Sequence, residues 1–319
     1  MINNTKHPAL CVINEVKKAV IGKDECIAKI MTAILAGGHI LIEDIPGVGK
    51  TTMALAFSRA LNLEQHRIQF TPDVLPADIV GFSLYQKETG KMVYQPGAVM
   101  CNLFLGDEIN RTSPKTQSAL LEVMEERKVT VDHITRELPK PFIVMATQNP
   151  VGSAGTFMLP ESQLDRFMIC ISIGYPDIKQ ELEIVKGKIG KNPLEQVNPV
   201  VTREQLLKMQ DEICEVYIHD NVYEYMGKLV EATRNHPLIE LGISPRGTIA
   251  LAKMTQALAY LRGRGYAVPD DICDVFLDVE AHRIRLNDKA RFEHITSEDV
   301  LKDIMKRTKK PSVIKKYKE

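Results

Sequence analysis

The sequence has no tryptophan, and only 6% of its 319 residues are aromatic. No apolar run approaches the roughly 18 residues that a membrane-spanning helix needs, so we predict no transmembrane segment. Residues 1–8 are polar and lack the apolar core of a secretory signal peptide. We therefore expect the protein to stay in the cytoplasm.

Paired metal-binding residues are absent as well. No two of the six cysteines lie at the spacing of a metal-binding pair, and the eight histidines form no HExxH motif. We interpret the cysteines as small buried hydrophobes in a reducing compartment, not as disulfide partners or zinc ligands. A metal site built from histidine and cysteine alone is not expected.

Net charge is also lacking, because 41 basic residues balance 41 acidic ones. Only the tail 302–319 is strongly basic, with 8 basic and 2 acidic residues. This distribution offers no broad electrostatic surface for nucleic acid, which we do not expect as a partner. We interpret the tail as a solvated charged terminus, and contact with an anionic partner stays open.

Short apolar runs alternate with amphipathic segments in the first half of the chain. Strands are predicted at 40–42, 66–70, 102–105, 142–147 and 168–173, with helices near 10–20, 24–36, 53–61 and 115–126. The alternation predicts an α/β fold with a parallel sheet flanked by helices. Segments 82–93 and 128–138 interrupt it and are predicted to be hairpins. Helical periodicity dominates 204–305, so we divide the chain into an α/β domain, 1–175, and a helical domain, 176–319.

A glycine-rich loop follows the predicted strand at 40–42 and leads into a helix. Gly47 and Gly49 let backbone N–H groups approach phosphate, and the helix N-terminus adds a favourable dipole. Lys50 is expected to reach the β- and γ-phosphates of a nucleoside triphosphate, and Thr51 to bind Mg²⁺. Asp44 stands where the strict motif has its first glycine. The nucleotide-binding residues predicted in this loop are Pro46, Gly47, Val48, Gly49, Lys50, Thr51 and Thr52.

An acidic pair, Asp107 and Glu108, follows the apolar run at 102–105. Parallel strands place their carboxyl ends at one sheet edge, so this pair should lie near the phosphate loop. Asp107 is then expected to hold Mg²⁺ through water, and Glu108 to orient and polarise the attacking water. Asn149 follows another strand, and its amide could position the same water or contact the γ-phosphate. A simple turn-forming role before proline is the alternative for Asn149.

Several further blocks, together with these motifs, make the chain similar to AAA+ ATPases and, more narrowly, to the MoxR family. The resemblance covers nearly the whole chain. The matching blocks are 20–22, which lies against the adenine; 107–111, the extended Walker B; 120–126 and 129–131, before sensor 1; 159–167, with the arginine finger; 244–246, sensor 2; and 268–272 and 282–284, in the lid.

This resemblance implies roles that spacing alone does not assign. Arg166 would reach the γ-phosphate from a neighbouring subunit, where a guanidinium lowers the barrier to phosphoryl transfer. Arg246 would come from the protein's own helical lid and report the nucleotide state. Arg111 has two interpretations, an intersubunit contact or a local ion pair. The residues implied to contact adenine are Val20, Ile21 and Gly22.

The resemblance also implies ATP and Mg²⁺ as ligands, a hairpin inserted near 82–95, a hexameric ring, and chaperone-like work on protein complexes. Partners of the family often carry von Willebrand A-type domains. The leading hypothesis is an ATPase whose hydrolysis drives remodelling or maturation of protein partners. One alternative is a nucleotide-gated assembly scaffold, and another is a motor subunit of a chelatase or of a DNA-acting complex. The intact Asp107–Glu108 pair favours hydrolysis, and the near-neutral domains count against DNA.

Overall fold

The structure, a computed structural model, describes residues 7–44, 47–149, 157, 159–188 and 192–311. Pro46, predicted to belong to the phosphate loop, lies outside the described residues, as does the end of the basic tail.

The chain alternates helices and strands up to residue 188 and is mainly helical after that. The elements of the first part are α1 (Pro8–Ala19), α2 (Asp24–Leu35), β1 (Ile40–Glu43), α3 (Lys50–Ala60), β2 (Gln65–Gln69), α4 (Pro76–Val80), β3 (Gly81–Gln86), β4 (Lys91–Pro96), β5 (Leu103–Asp107), α5 (Pro114–Glu126), β6 (Lys128–Val131), β7 (Ile134–Glu137), β8 (Ile143–Gln148), α6 (Glu161–Leu164), β9 (Ile169–Ile171) and α7 (Ile178–Lys188). The later elements are α8 (Arg203–Cys214), α9 (Asp220–Arg234), β10 (Ile239–Leu241), α10 (Pro245–Leu261), α11 (Pro269–Glu280), β11 (Arg285–Leu286), α12 (Asp288–Phe292) and α13 (Ser297–Arg307).

A five-stranded parallel sheet, in the order β2-β5-β8-β1-β9, organises the first part. Its central strands are almost entirely buried, and they are apolar except at their carboxyl ends, because helices cover both faces. Ile40 and Ile42 of β1 join the cluster formed by α1–α3 and the C-terminal helices, whereas Leu41 joins the opposite cluster with α5. The predicted sheet flanked by helices is therefore confirmed.

Both interrupting segments are antiparallel hairpins, as predicted. The first pairs β3 with β4, from Gly81 opposite Pro96 to Gln86 opposite Lys91. The second pairs β6 with β7 directly after α5. Neither hairpin joins the five-stranded parallel sheet, so each is an insertion between elements of the α/β fold.

The C-terminal helices, α8–α13, share one hydrophobic cluster with α1–α3 and one sheet face. The sequence predicted only helices in this part. The structure adds a short antiparallel pair, β10 with β11, in which Ile239 lies opposite Leu286. Among the described residues, no helix has both the length and the apolar character to cross a membrane.

Candidate nucleotide-binding site

Side chains from three elements meet at the carboxyl edge of the sheet. The phosphate loop follows β1, Asp107 ends β5, and Asn149 follows β8. Since β8 pairs with both β1 and β5, these three strand ends are adjacent. Thr51 Oγ1 and Asp107 Oδ2 lie 3.4 Å apart, so the expected metal ligands do come together.

The phosphate loop has a backbone that only glycine adopts readily. Gly47 has a φ of 88° and Gly49 a φ of 94°. A Cβ added at either position would meet no described atom within 4 Å, so the loop leaves open space for a phosphate. Lys50 Nζ donates to the Asp44 carbonyl at 2.7 Å, and burial lowers the pKa of Lys50 while nearby carboxylates oppose this change. The ammonium is thus held at the loop.

Asp44, the residue that departs from the strict phosphate-loop motif, has a structural role. Its Oδ2 accepts from the backbone N–H groups of Ile173 at 2.7 Å and Gly174 at 2.6 Å. Its side chain is buried, and Ser172 Oγ donates to the same oxygen at 3.1 Å. Asp44 therefore fastens the start of the phosphate loop to the segment after β9. The sequence flagged this departure but gave no signal of its purpose.

The Asp107 carboxylate has two partners that the sequence did not predict. Arg67 on β2 donates from Nε to Oδ2 at 2.7 Å, the oxygen that also lies nearest Thr51. Thr147 on β8 donates to Oδ1 at 3.5 Å. Both contacts depend on which strands neighbour β5, and no local pattern encodes that order. Arg67 and Thr51 therefore share one oxygen of Asp107 in this structure.

The hydroxyl and carboxylate oxygens of Thr51 and Asp107 fit a hard cation such as Mg²⁺. In the part of the chain that the structure describes, no three His, Cys, Asp or Glu side chains form a group that could hold a metal. A metal at this edge would therefore take further oxygen ligands from phosphate and water, as Mg²⁺ commonly does.

Glu108 has an unusual backbone. Its φ of 57° lies in the left-handed region, which costs a residue other than glycine free energy and is often found at functional sites. Its N–H donates to Thr147 Oγ1 at 2.8 Å, which anchors the turn to β8. Its carboxylate pairs with Arg111 Nη1 at 3.0 Å. The local ion pair of Arg111 is thus present, and an intersubunit contact of this residue stays a prediction.

Asn149 is held in place through its backbone. Its N–H donates to Asn110 Oδ1 at 3.3 Å, and Asn110 Nδ2 donates to the Asn149 carbonyl at 3.1 Å. Asn149 Oδ1 is buried and has no hydrogen-bond partner among the described residues. Asn110 therefore fixes the backbone of Asn149, and the contact of its amide with water or phosphate stays a prediction.

The segment expected against adenine lies beside the chain that follows β9. Lys23 Nζ donates to the carbonyls of Ile173 at 2.8 Å and Tyr175 at 2.9 Å. Gly22 has a φ of 72°, and an added Cβ would lie 2.1 Å from Cδ of Gln180. Val20 is buried in the cluster against which Val48 of the phosphate loop packs, while Ile21 is half-buried.

Two predicted residues, Arg166 and Arg246, lie elsewhere. Both face Glu125 at the end of α5: Arg166 Nε is 3.3 Å from Oε2, and Arg246 Nη2 is hydrogen-bonded to Oε1. Although close enough for an ion pair, Arg166 Nε forms no hydrogen bond within the described chain. Glu125 thus holds the two arginines together.

These arginines line an open cavity of about 200 Å³ with Gly37, Gly38 and His39. Those three residues precede β1, whereas the phosphate loop follows it. The four residues of β1 span about 13 Å at about 3.3 Å each. Arg246 therefore lies away from the phosphate loop of its own chain, because the C-terminal helices dock at the amino edge of the sheet, and its role in reporting the nucleotide state stays a prediction.

The charge of this cavity is mainly positive. Its cationic side chains are Arg127, Arg166, Arg246, Lys253 and Arg283, and its carboxylates are Glu125 and Asp165. Asp165 is paired with Arg283 at 2.8 Å, which leaves Glu125 to face the other cations. Such a surface suits an anion that enters from outside the chain.

Comparisons with known proteins identify the family and agree with the fold. The family model described as ATPase family associated with various cellular activities (AAA) matches residues 39–169, and the AAA lid domain model matches residues 231–304. The chain is 36% identical to Chaperone MoxR1 of Mycobacterium tuberculosis, over 94% of this chain and 82% of that protein. It is 30% identical to Protein MoxR of Methylorubrum extorquens, over 90% of each. A crystal structure from Cytophaga hutchinsonii, described as a presumed ATPase, has a TM-score of 0.89, 38% identity and 95% coverage of both chains.

The fold and the site define a P-loop ATPase of the AAA+ class with a helical lid. Within that class, the chain belongs to the MoxR family.

Proposed function

We propose that this protein hydrolyses ATP to ADP and phosphate with Mg²⁺, in a ring of identical subunits, and uses the cycle to remodel or mature protein partners. One observation supports this most strongly. The sheet carries a phosphate loop and acidic pair at its carboxyl edge, and a set of arginines at its amino edge. A complete site then needs the carboxyl edge of one subunit and the amino edge of the next.

At the carboxyl edge, the arrangement supports the following assignment. Lys50 and the backbone N–H groups of the loop bind the phosphates, and Thr51, with Asp107 acting through water, would hold the metal. Mg²⁺, when bound, neutralises phosphate charge. Glu108 orients the attacking water and accepts its proton, and the amide of Asn149 holds the same water in line. Val20, Ile21 and Gly22 form the adenine side of the site.

At the interface, Arg166 and Arg246 approach the γ-phosphate of the neighbouring subunit. Charge builds up on the phosphate oxygens during transfer, so aimed guanidinium groups stabilise the transition state. Heterologous contacts of this kind form a ring when the rotation between subunits closes, and we propose a hexamer. We also retain the division into domains 1–175 and 176–319 and the cytoplasmic location as predictions.

The proposal of protein partners draws on the relative named as a chaperone. The β3–β4 hairpin supports it, because the large apolar side chains of Phe82, Leu84, Tyr85 and Met92 are 44–61% exposed. We propose this hairpin as a contact for partner proteins, among which those with von Willebrand A-type domains are our first candidates.

The test of hydrolysis is Glu108→Gln. The amide keeps the shape of the side chain but cannot accept the proton, so we expect ATP binding with turnover reduced at least roughly 100-fold. Calorimetry with a slowly hydrolysed ATP analogue and a phosphate-release assay measure the two quantities. Glu122→Gln on the exposed face of α5 is the matched control and should leave both unchanged. Near-normal turnover of Glu108→Gln would remove this residue from the mechanism.

A further inference from the structure

Arg283 follows α11 and is almost fully buried, with 2% of its side chain exposed. Its guanidinium binds the finger segment, which we define as residues 165–168. Nε donates to Asp165 Oδ1 at 2.8 Å, Nη2 to the carbonyls of Phe167 at 2.5 Å and Asp165 at 3.3 Å, and Nη1 to the Met168 carbonyl at 3.3 Å. The acceptors lie on both sides of Arg166, so one side chain fixes the backbone that carries the predicted finger.

A second link joins the same segment to Arg246. Asp165 Oδ2 accepts from Ser244 Oγ at 2.9 Å. Ser244 caps α10, and its hydroxyl accepts from the N–H of Gly247 at 3.1 Å. Arg246 lies in the first turn of that helix. The Asp165 carboxylate therefore contacts both Arg283 and the N-terminus of α10, the helix that carries Arg246.

Although Arg283 borders the cavity, its guanidinium is taken up by contacts within its own chain. Its guanidinium is buried and its donors are used by the finger segment and by the carbonyl of Val279 on α11. Arg166 and Arg246 are more exposed, at 28% and 44% of their side chains. Any effect of Arg283 on the reaction must pass through the residues that it holds.

We propose that Arg283 is a positioning residue for Arg166, and that the contacts of Arg283 and Ser244 with Asp165 join Arg166 and Arg246 to the C-terminal helices as one unit. A displacement of these helices in one subunit then moves both arginines against the nucleotide of the next. This inference rests on the proposed function, because it takes Arg166 to act across the interface.

The first test variant is Arg283→Lys. A single ammonium keeps the charge but cannot reach all the acceptors that the planar guanidinium serves. We expect turnover to fall about 10- to 100-fold, the scale of a catalytic group displaced by about 1 Å. Affinity for a slowly hydrolysed ATP analogue should not change, because the subunit's own phosphate loop lies at the other edge of the sheet. The matched control is Arg264→Lys, which breaks a bidentate pair with Asp271 within the C-terminal helices.

A mixing experiment separates positioning from general damage. Arg283→Lys subunits keep a sound phosphate loop, and Lys50→Ala subunits keep a sound finger segment. The mixture should recover part of the turnover that each lacks alone. Should Arg283→Lys fold poorly, Asp165→Asn, which removes the shared charge and keeps the shape, should give the same pattern.

The outcomes are distinct. Full turnover of Arg283→Lys beside an impaired Arg166→Ala would overturn the positioning role and leave the proposed function standing. Full turnover of Arg166→Ala would overturn the proposed interface and this inference with it. Loss of analogue binding by Arg283→Lys, or equal losses in Arg264→Lys, would show damage to the fold and also overturn the inference.

Discussion

Single residues at this site act through partners that lie far away in the sequence. The motifs predict roles for Lys50, Thr51, Asp107, Glu108 and Asn149, because phosphate and metal chemistry restricts the residue types at those strand ends, and the structure brings these residues to one edge of the sheet. Their supports were not predictable. Two of these supports are Thr147 and Asn110, which contact the acidic pair and Asn149 across strands. A hydroxyl or an amide in a strand or turn has many roles, and only the fold selects one.

Glu280 is a buried residue whose charge is expected to depend on pH. Glu280, at the end of α11, is fully buried, and neither of its carboxylate oxygens has a hydrogen-bond partner among the described residues. Burial raises the pKa of Glu280 to about 7; Arg283 opposes this rise and Asp165 adds to it. The folded protein therefore favours the neutral acid.

We expect Glu280→Gln to remove a pH-dependent loss of stability. In the unfolded chain the carboxyl ionises near pH 4.5, so the folded state binds more protons between pH 4.5 and 7. The folding stability that the protonated form of Glu280 allows is fully present below pH 4.5 and is lost as the pH rises through 7. The difference between the pKa values of the unfolded and folded states corresponds to about 3 kcal/mol of folding stability. Denaturant unfolding at pH 5 and pH 8 should show that the variant gains more stability relative to the native chain at pH 8 than at pH 5. An equal effect at both values would contradict a neutral buried acid.

Whole elements were more predictable than their ends. Periodicity correctly indicated the parallel strands, α1, α2, α5 and both hairpins, because apolar spacing records which face is buried. It placed the start of the helix after the phosphate loop at residue 53, whereas α3 begins at Lys50. The first turn of α3 faces the phosphate site and carries polar residues, so apolar spacing could not reveal it. The pair β10–β11 was missed because three- and two-residue strands have no periodicity to detect.

A pair of glycine variants, one of them in the loop before α3, can separate an effect on nucleotide binding from an effect on folding stability. Gly49→Ala and Gly263→Ala both place alanine at a positive φ, 94° and 72°, where a Cβ meets no described atom within 4 Å. Each should lose about 1 kcal/mol of stability through the left-handed backbone alone. Only Gly49→Ala should also weaken binding of an ATP analogue, by at least about 10-fold, because its Cβ occupies the approach to the phosphates. Thermal melting and calorimetry test the two effects, and equal binding losses in both variants would contradict the phosphate-loop assignment.

For the whole molecule, the decisive feature is that the predicted site residues lie at two edges of one sheet. The sequence could not show this for Arg246, since the placement of the C-terminal helices depends on contacts such as Arg283 with the finger segment and Ser244 with Asp165. These contacts join positions 79 and more residues apart. Local sequence patterns indicate local structure, so they do not predict how the C-terminal helices dock on the α/β part of the chain.

Subunit mixing tests the two-edged arrangement directly. Arg166→Ala subunits supply a sound phosphate loop and Lys50→Ala subunits a sound finger, so each alone should be nearly inactive while Arg166→Ala still binds nucleotide. An arginine finger contributes roughly 10³–10⁵ in rate in other phosphoryl-transfer enzymes. In an equal mixture with random assembly, about one interface in four joins a good loop to a good finger, and turnover should recover in part and rise with protein concentration by mass action. The control replaces Lys50→Ala subunits by the double variant, Lys50→Ala with Arg166→Ala, and should show no recovery because no ring then contains a finger. If mixed rings form and stay inactive, or if dilute monomer hydrolyses ATP at the full rate, Arg166 does not act across an interface.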